Sequence, residues 1–296
     1  MQYRSLFLIV PAVGLLALAC ETPGRRNNNN GNEDGGNGNL DAFLTSKDMV
    51  KPQVTVYDLA GVANGDTVYV HTGSSLYTLN QSTYSITKVG DFGVGTEAKD
   101  DMTDLAVLPD GSIYTISRTD LFEVNATTGK ATLLMANIST ATGSNVALTT
   151  LPDGTLLASD QMGEVRVIDP ITKNVSVLGS YGMGFDTAGD LVAVADGTMY
   201  GIAKMGPGTR DDANALIKVD TTNGHATLVG TLETSGGVGF TGVFGVAFLG
   251  GNVIAFTKDG QIIQVDPATG RSTLLKTIPN TAFYGAGSNP LVSPIG

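Results

Sequence analysis

From about residue 57 onward the chain alternates short apolar runs with polar turns, and the alternation itself repeats. An apolar strand followed by a turn of Thr, Asn or Gly appears as Leu76-Tyr-Thr-Leu-Asn80, Leu121-Phe-Glu-Val-Asn125-Ala-Thr-Thr-Gly129 and Val165-Arg-Val-Ile-Asp169-Pro-Ile-Thr. It returns as Leu216-Ile-Lys-Val-Asp220-Thr-Thr-Asn-Gly224 and Ile262-Ile-Gln-Val-Asp266-Pro-Ala-Thr-Gly270. Positions 80, 125, 169, 220 and 266 are 45, 44, 51 and 46 residues apart. A period of this length marks a repeat architecture, in which each unit buries its apolar face against its neighbours.

Each unit predicts four short strands. In the second these are 104–108, 112–117, 120–125 and 131–134, with the tight turn Pro109-Asp110-Gly111 after the first. The first-turn signal recurs as Asn64-Gly65, Asp153-Gly154, Asp196-Gly197 and Gly250-Gly251, and no helical periodicity is present in this part of the chain. Four-stranded units of this length are propeller blades, so the expected fold is all-β, a single β-propeller over residues 50–296. The preferred count is six blades. In that reading Val50–Val56 and Thr281–Gly296 jointly build an incomplete closing blade. The alternative is a five-bladed ring that the two end pieces reinforce, since closure by paired chain ends removes free edges either way.

The connecting loops repeat as well. Gly90-Asp-Phe-Gly93-Val-Gly95 matches Gly179-Ser-Tyr-Gly182-Met-Gly184 in residue class, two units apart. The hairpins, of the type Leu-Tyr-x-Val-Asp-x-x-Thr-Gly, resemble those of bacterial surface propellers in the broad NHL/YncE-like and quinoprotein-like group. The resemblance spans about residues 50–290 and implies the fold. It implies no activity, because propellers host unrelated functions. The WD-repeat pattern is not met, since the chain has no Trp.

The N-terminus has a different character. Arg4 precedes the apolar run Leu6–Ala19, which contains Pro11. As a helix this run would rise about 21 Å, short of a ~30 Å hydrocarbon core, so residues 1–19 read as a signal peptide rather than a transmembrane helix. The run ends Ala17-Leu18-Ala19-Cys20, which resembles a lipobox and departs from it in having Ala17 where Leu is usual. The resemblance implies acylation of Cys20, the single cysteine of the chain, and hence a membrane anchor. Glu21 follows the cysteine in place of a retention-type Asp, which makes the outer membrane the default address. Residues 20–49 are Asn/Gly-rich and almost free of apolar side chains, so they are expected to be a disordered tether.

Charge narrows the partners. A net charge of −11 argues against nucleic acid, whose binding rests on neutralising phosphates. It also argues against a polybasic membrane patch. With one cysteine there is no intramolecular disulfide, so packing alone must hold the fold.

Alignment on the first turn places Asp58, Asp104 and Asp190 at one position in three units, with Ala147 and Phe244 in the other two. Carboxylates around a channel mouth could ligate a hard cation such as Ca²⁺, and Glu97, Asp100 and Asp101 would add negative potential. Equally, each Asp could accept backbone N–H bonds from the next blade. Gly237-Val-Gly239-Phe-Thr-Gly242 fits a dinucleotide fingerprint in letters only, because a strand and not a helix follows it. The two histidines, His71 and His225, are too few and too far apart for a His-rich metal site. The stretch Met205–Asp212, with Arg210 and Asp211, lengthens the second hairpin of the fourth unit and is either a partner contact or drift in a solvated loop.

No catalytic constellation is present in the sequence. The expected role is therefore a non-enzymatic binding or scaffold module at the cell envelope, with a protein or an envelope polymer as partner. The alternative is a metal-dependent hydrolase like the gluconolactonase-type propellers, whose mixed Glu/Asn/Asp set is not traceable here. A glycan-active enzyme ranks last, because 6% aromatics and no Trp leave few stacking platforms.

Overall fold

The computed structural model describes residues 67–93, 102–139, 143–182, 184–206, 208, 210 and 212–291. The chain divides into two compact units, Met1–Val50 and Lys51–Gly296, and every described residue belongs to the second. The signal peptide, Cys20 and the tether lie outside the described residues.

All regular elements of the described residues are strands. Blade I contains β1 (Val68–His71), β2 (Ser75–Leu79) and β3 (Ile86–Asp91). Blade II is β4 (Asp104–Val107), β5 (Ile113–Ile116), β6 (Leu121–Val124) and β7 (Ala131–Met135). Blade III is β8 (Asn145–Thr150), β9 (Leu156–Asp160), β10 (Glu164–Asp169) and β11 (Asn174–Ser180). Blade IV is β12 (Asp186–Ala193), β13 (Met199–Met205), β14 (Ala215–Val219) and β15 (Ala226–Thr231). Blade V is β16 (Val243–Leu249), β17 (Asn252–Thr257), β18 (Gln261–Val265) and β19 (Ser272–Thr277). The last strand, β20 (Gly285–Gly287), returns to blade I, where it pairs antiparallel with β1 through Tyr69↔Gly287, Val70↔Ala286 and His71↔Gly285.

This corrects the preferred blade count. The described residues form five four-stranded antiparallel sheets, so the propeller is five-bladed, with no incomplete sixth blade among the described residues. Val50–Val56 lies outside the described residues, and the described part of the C-terminal piece joins blade I. It supplies the innermost strand of blade I and covers the edge that β1 would otherwise leave open. In blades II to V the innermost strand is the first of the blade: β4, β8, β12 and β16.

The core consists of five apolar clusters, one in each gap between neighbouring blades. Between I and II, Tyr69, Leu76 and Phe92 meet Leu105, Ile113 and Phe122. Clusters of the same kind fill the gaps II–III, III–IV and IV–V. The gap V–I closes the ring with Val68, Val70 and Ala286 against Ala247, Ile254, Phe256 and Phe283. Each fully buried Val, Leu, Ile or Phe in such a gap contributes about 1.5–3 kcal/mol.

The recurrent Asn/Asp at the end of each third strand builds the outer hairpin turn. Asn125 Oδ1 accepts the N–H groups of Thr127 and Thr128, both at 3.0 Å, and Asn80, Asp169, Asp220 and Asp266 cap their turns in the same way. The residue four positions on has positive φ in all five blades: Tyr84, Gly129, Lys173, Gly224 and Gly270. At three interfaces that residue is a glycine and faces a glycine of the preceding blade's outer strand. A Cβ on Gly90 would lie 1.9 Å from the Thr128 carbonyl oxygen, and one on Gly129 would lie 2.8 Å from Gly90. The glycine pairs 179/224 and 230/270 repeat this backbone contact. At the closing interface the pair is Lys276 and Tyr84, and the Lys276 ammonium instead donates to the Thr83 carbonyl at 3.0 Å and to the Ser85 hydroxyl at 2.8 Å.

Candidate functional site: the propeller axis and its mouth

The inner strands place corresponding residues around one axis. Asp104 opens β4 and Asp190 lies in β12, so two of the three aspartates marked in the sequence come together, from blades that are not neighbours. Both side chains are fully buried. Asp104 accepts its own strand's Leu105 N–H at 2.8 Å and the Leu148 N–H of blade III at 2.6 Å. Asp190 accepts the Leu191 N–H at 2.5 Å, the Val246 N–H of blade V at 2.7 Å and the Ala286 N–H of β20 at 3.4 Å. A hydrogen bond joins the two carboxyl groups. One acid pair thus ties all five inner strands together.

Two carboxylates cannot both ionise at this distance in a dry site. Burial, and then the charge of Asp190, hold the Asp104 carboxyl well above the usual range. Burial raises Asp190 from 3.8 to about 8, against the pull of its hydrogen bonds with Asp104 and the backbone. His71 of β1 is also fully buried, and burial lowers its pKa from 6.5 to about 4. Its Nδ1 donates to the Thr72 carbonyl at 2.7 Å, which leaves Nε2 a bare acceptor with no partner. Gly285 lets these groups approach one another: a Cβ there would meet His71 Nε2 at 2.3 Å and Asp104 Oδ1 at 2.4 Å.

Asp58 and Asp101, with Glu97 and Asp100, lie outside the described residues. The position equivalent to Asp104 is Gly285 in blade I and Gly245 in blade V, not Phe244. The first hairpin of blade V is one residue shorter, with Phe248↔Val253 bracketing four residues where Val107↔Ile113 brackets five, and this shifts the turn-based alignment by one. Among the described residues, no group of three or more His, Cys, Asp or Glu side chains is placed to hold a metal ion.

One step outward from the acid pair, the N-terminal ends of the inner strands surround a cavity of about 130 Å³. It is lined by Thr103, Val146, Ala188, Gly189, Phe244 and Tyr284, so all five blades contribute, together with Arg118 from the second hairpin of blade II. Phe244 and Tyr284 stack with centroids 5.9 Å apart and planes 24° apart, and Tyr284 is 40% exposed. Arg118 and Tyr284 belong to no sequence motif. Their only signal was position, in a second-hairpin loop and just before the closing strand.

The inserted hairpin of blade IV joins β13 to β14 and so reaches the same face. Met205 ends β13, and Asp211 lies outside the described residues. Arg210 is fully engaged: its Nε and one terminal nitrogen hold Asp212 at 2.8 and 2.6 Å, and the other terminal nitrogen pairs with Glu233. Glu233 also accepts Arg271 at 3.3 Å, which pins the insertion to blade V.

No protein-family model matches the chain, and a search of curated proteins finds no match. Among solved structures the chain is similar to one chain of a nidogen/laminin complex, with TM-score 0.51 and 15% identity over 75% of this chain and 97% of that one. It is also similar to a Bacteroides thetaiotaomicron VPI-5482 protein of unknown function, with TM-score 0.49 and 16% identity over 72% of this chain and 56% of that one. The first likeness shows the β-propeller fold.

Proposed function

We propose that this protein is a lipid-anchored binding module of the cell envelope, and that it meets its partner with the mouth face of the propeller. The carrying observation is that five blades converge on one mouth with an exposed aromatic pair, while the aspartates beneath it already hold backbone N–H groups and each other. Such a floor is built for closing the ring, and the mouth above it offers contact surface. A propeller is rigid enough to present that surface without an ordering cost on binding. The anchor rests on the apolar run that ends at the single cysteine, and the Asn/Gly-rich tether would space the ring from the membrane.

Two measurements test the reading. Cys20→Ala should move the protein from the membrane to the soluble envelope fraction without changing its melting temperature. Retention of that variant in the membrane would refute the anchor. A photo-crosslinking residue at position 284 should capture an envelope component that one at position 153, on the opposite face, does not. Capture only from position 153 would refute the mouth as the contact face.

A further inference from the structure

The mouth also carries a chemical signature, and this inference rests on its being the contact face. A cavity of about 130 Å³ holds roughly four waters at about 30 Å³ each, which is the room of one side chain and not of a drug-sized molecule. Its walls are apolar: Val146, Ala188, Phe244 and Tyr284. The Phe244–Tyr284 stack leaves Tyr284 exposed, where a third ring could continue the stack. The polar lining is sparse. The Thr103 hydroxyl is already bonded to the Ile116 carbonyl at 3.2 Å, which leaves little to satisfy the many hydroxyls of a sugar polymer.

Charge completes the signature. Arg118 is exposed, is the charged side chain lining the cavity among the described residues, and makes no ion pair with any of them. Arg210 and Arg271, by contrast, are held by Asp212 and Glu233. A guanidinium that no described carboxylate holds, set on an apolar rim, matches a planar carboxylate through two parallel hydrogen bonds.

We infer that the mouth receives an aromatic side chain flanked by a carboxylate, presented by a segment of a protein partner, with the ring against Tyr284 and the carboxylate on Arg118. The probe is a short acetylated peptide with phenylalanine next to glutamate, titrated against the full chain in detergent by ligand-observed NMR, which reads millimolar affinities. The same peptide with lysine for glutamate is the comparison. The glutamate peptide should bind about tenfold more tightly than the lysine peptide, the worth of one charge-assisted pair. Arg118→Gln should remove that preference. Lys130→Gln, an equal loss of charge at the opposite face of the same blade, should leave it intact. Equal binding of the two peptides, a preference for lysine, no binding of either, or a preference that survives Arg118→Gln would each overturn the inference. If crosslinking from position 284 still captures a partner in that case, the mouth remains the contact face and only its chemistry is refuted. If that crosslinking fails too, the contact-face reading falls with it.

Discussion

Asp104, Asp190 and His71 set a pH dependence whose sign follows from burial. Asp190 is raised to about 8 from 3.8, so the folded state holds its proton more tightly than the unfolded chain. The stability this contributes is complete below the unfolded value and is lost as pH rises through about 8. His71 is lowered to about 4 from 6.5, so its contribution is complete above 6.5 and is lost as pH falls towards 4. Between those limits the two slopes oppose each other. Above about pH 6.5 the acid pair acts alone, and the melting temperature should fall steadily up to about pH 9. Asp190→Asn should be about 1–3 kcal/mol less stable at neutral pH, because an amide cannot accept from Leu191, Val246 and Ala286 at once. It should also flatten that slope, and thermal melts across the range check both effects. A variant that keeps the wild-type slope would show that the pair does not hold the proton. Some of this was legible at the residue scale: the spacing singled out Asp104 and Asp190, but a spacing cannot tell a ligand from a clasp. Arg166 was not legible at all. It sits between two valines as an outward-facing residue should, yet it is 2% exposed and donates to the Ile138 carbonyl and to Asn145 Oδ1. The bulge between Val165 and Arg166 breaks the alternation that the sequence pattern assumes.

The blade is the element that the sequence predicted best, because each signal in it is local. Strand, tight turn and Asx-capped hairpin all depend on residues within a few positions of one another, and the strands of blade II match the expected ones to within a residue or two at each end. The contacts between blades were hidden. Nothing in the run around Gly90 shows that its α-carbon rests on the backbone of Thr128 and Gly129, 38 and 39 residues further on. That contact makes a specific expectation. Gly90→Ala must push a methyl group into the Thr128 carbonyl, and should cost about 2–3 kcal/mol, lowering the melting temperature by roughly 5–10 °C. Gly236→Ala is the control. The nearest atom to its Cβ would be 3.7 Å away, so its melting temperature should hardly change. A Gly90→Ala protein that melts with the wild type would mean that the blades do not pack through this glycine pair.

At the scale of the whole molecule, the repeat predicted a ring but left its number of blades open. Five units are complete in sequence, and no local signal fixes how the two end pieces pair. The pairing is what decides: β20 is only three residues long, yet it brings Ala286 into the V–I gap and puts the Ala286 N–H within reach of Asp190. Closure, the acid clasp and the mouth therefore share one short segment, and Tyr284 immediately precedes it. Deleting residues 285–296 tests the closed ring most directly. The closed ring requires that the truncated protein lose its inner strand in blade I, expose the apolar gap between blades V and I, and melt without a single cooperative transition or not fold at all. A truncated protein that melts cooperatively within about 2 °C of the full chain would contradict closure by β20, and with it the account of the axis and its mouth.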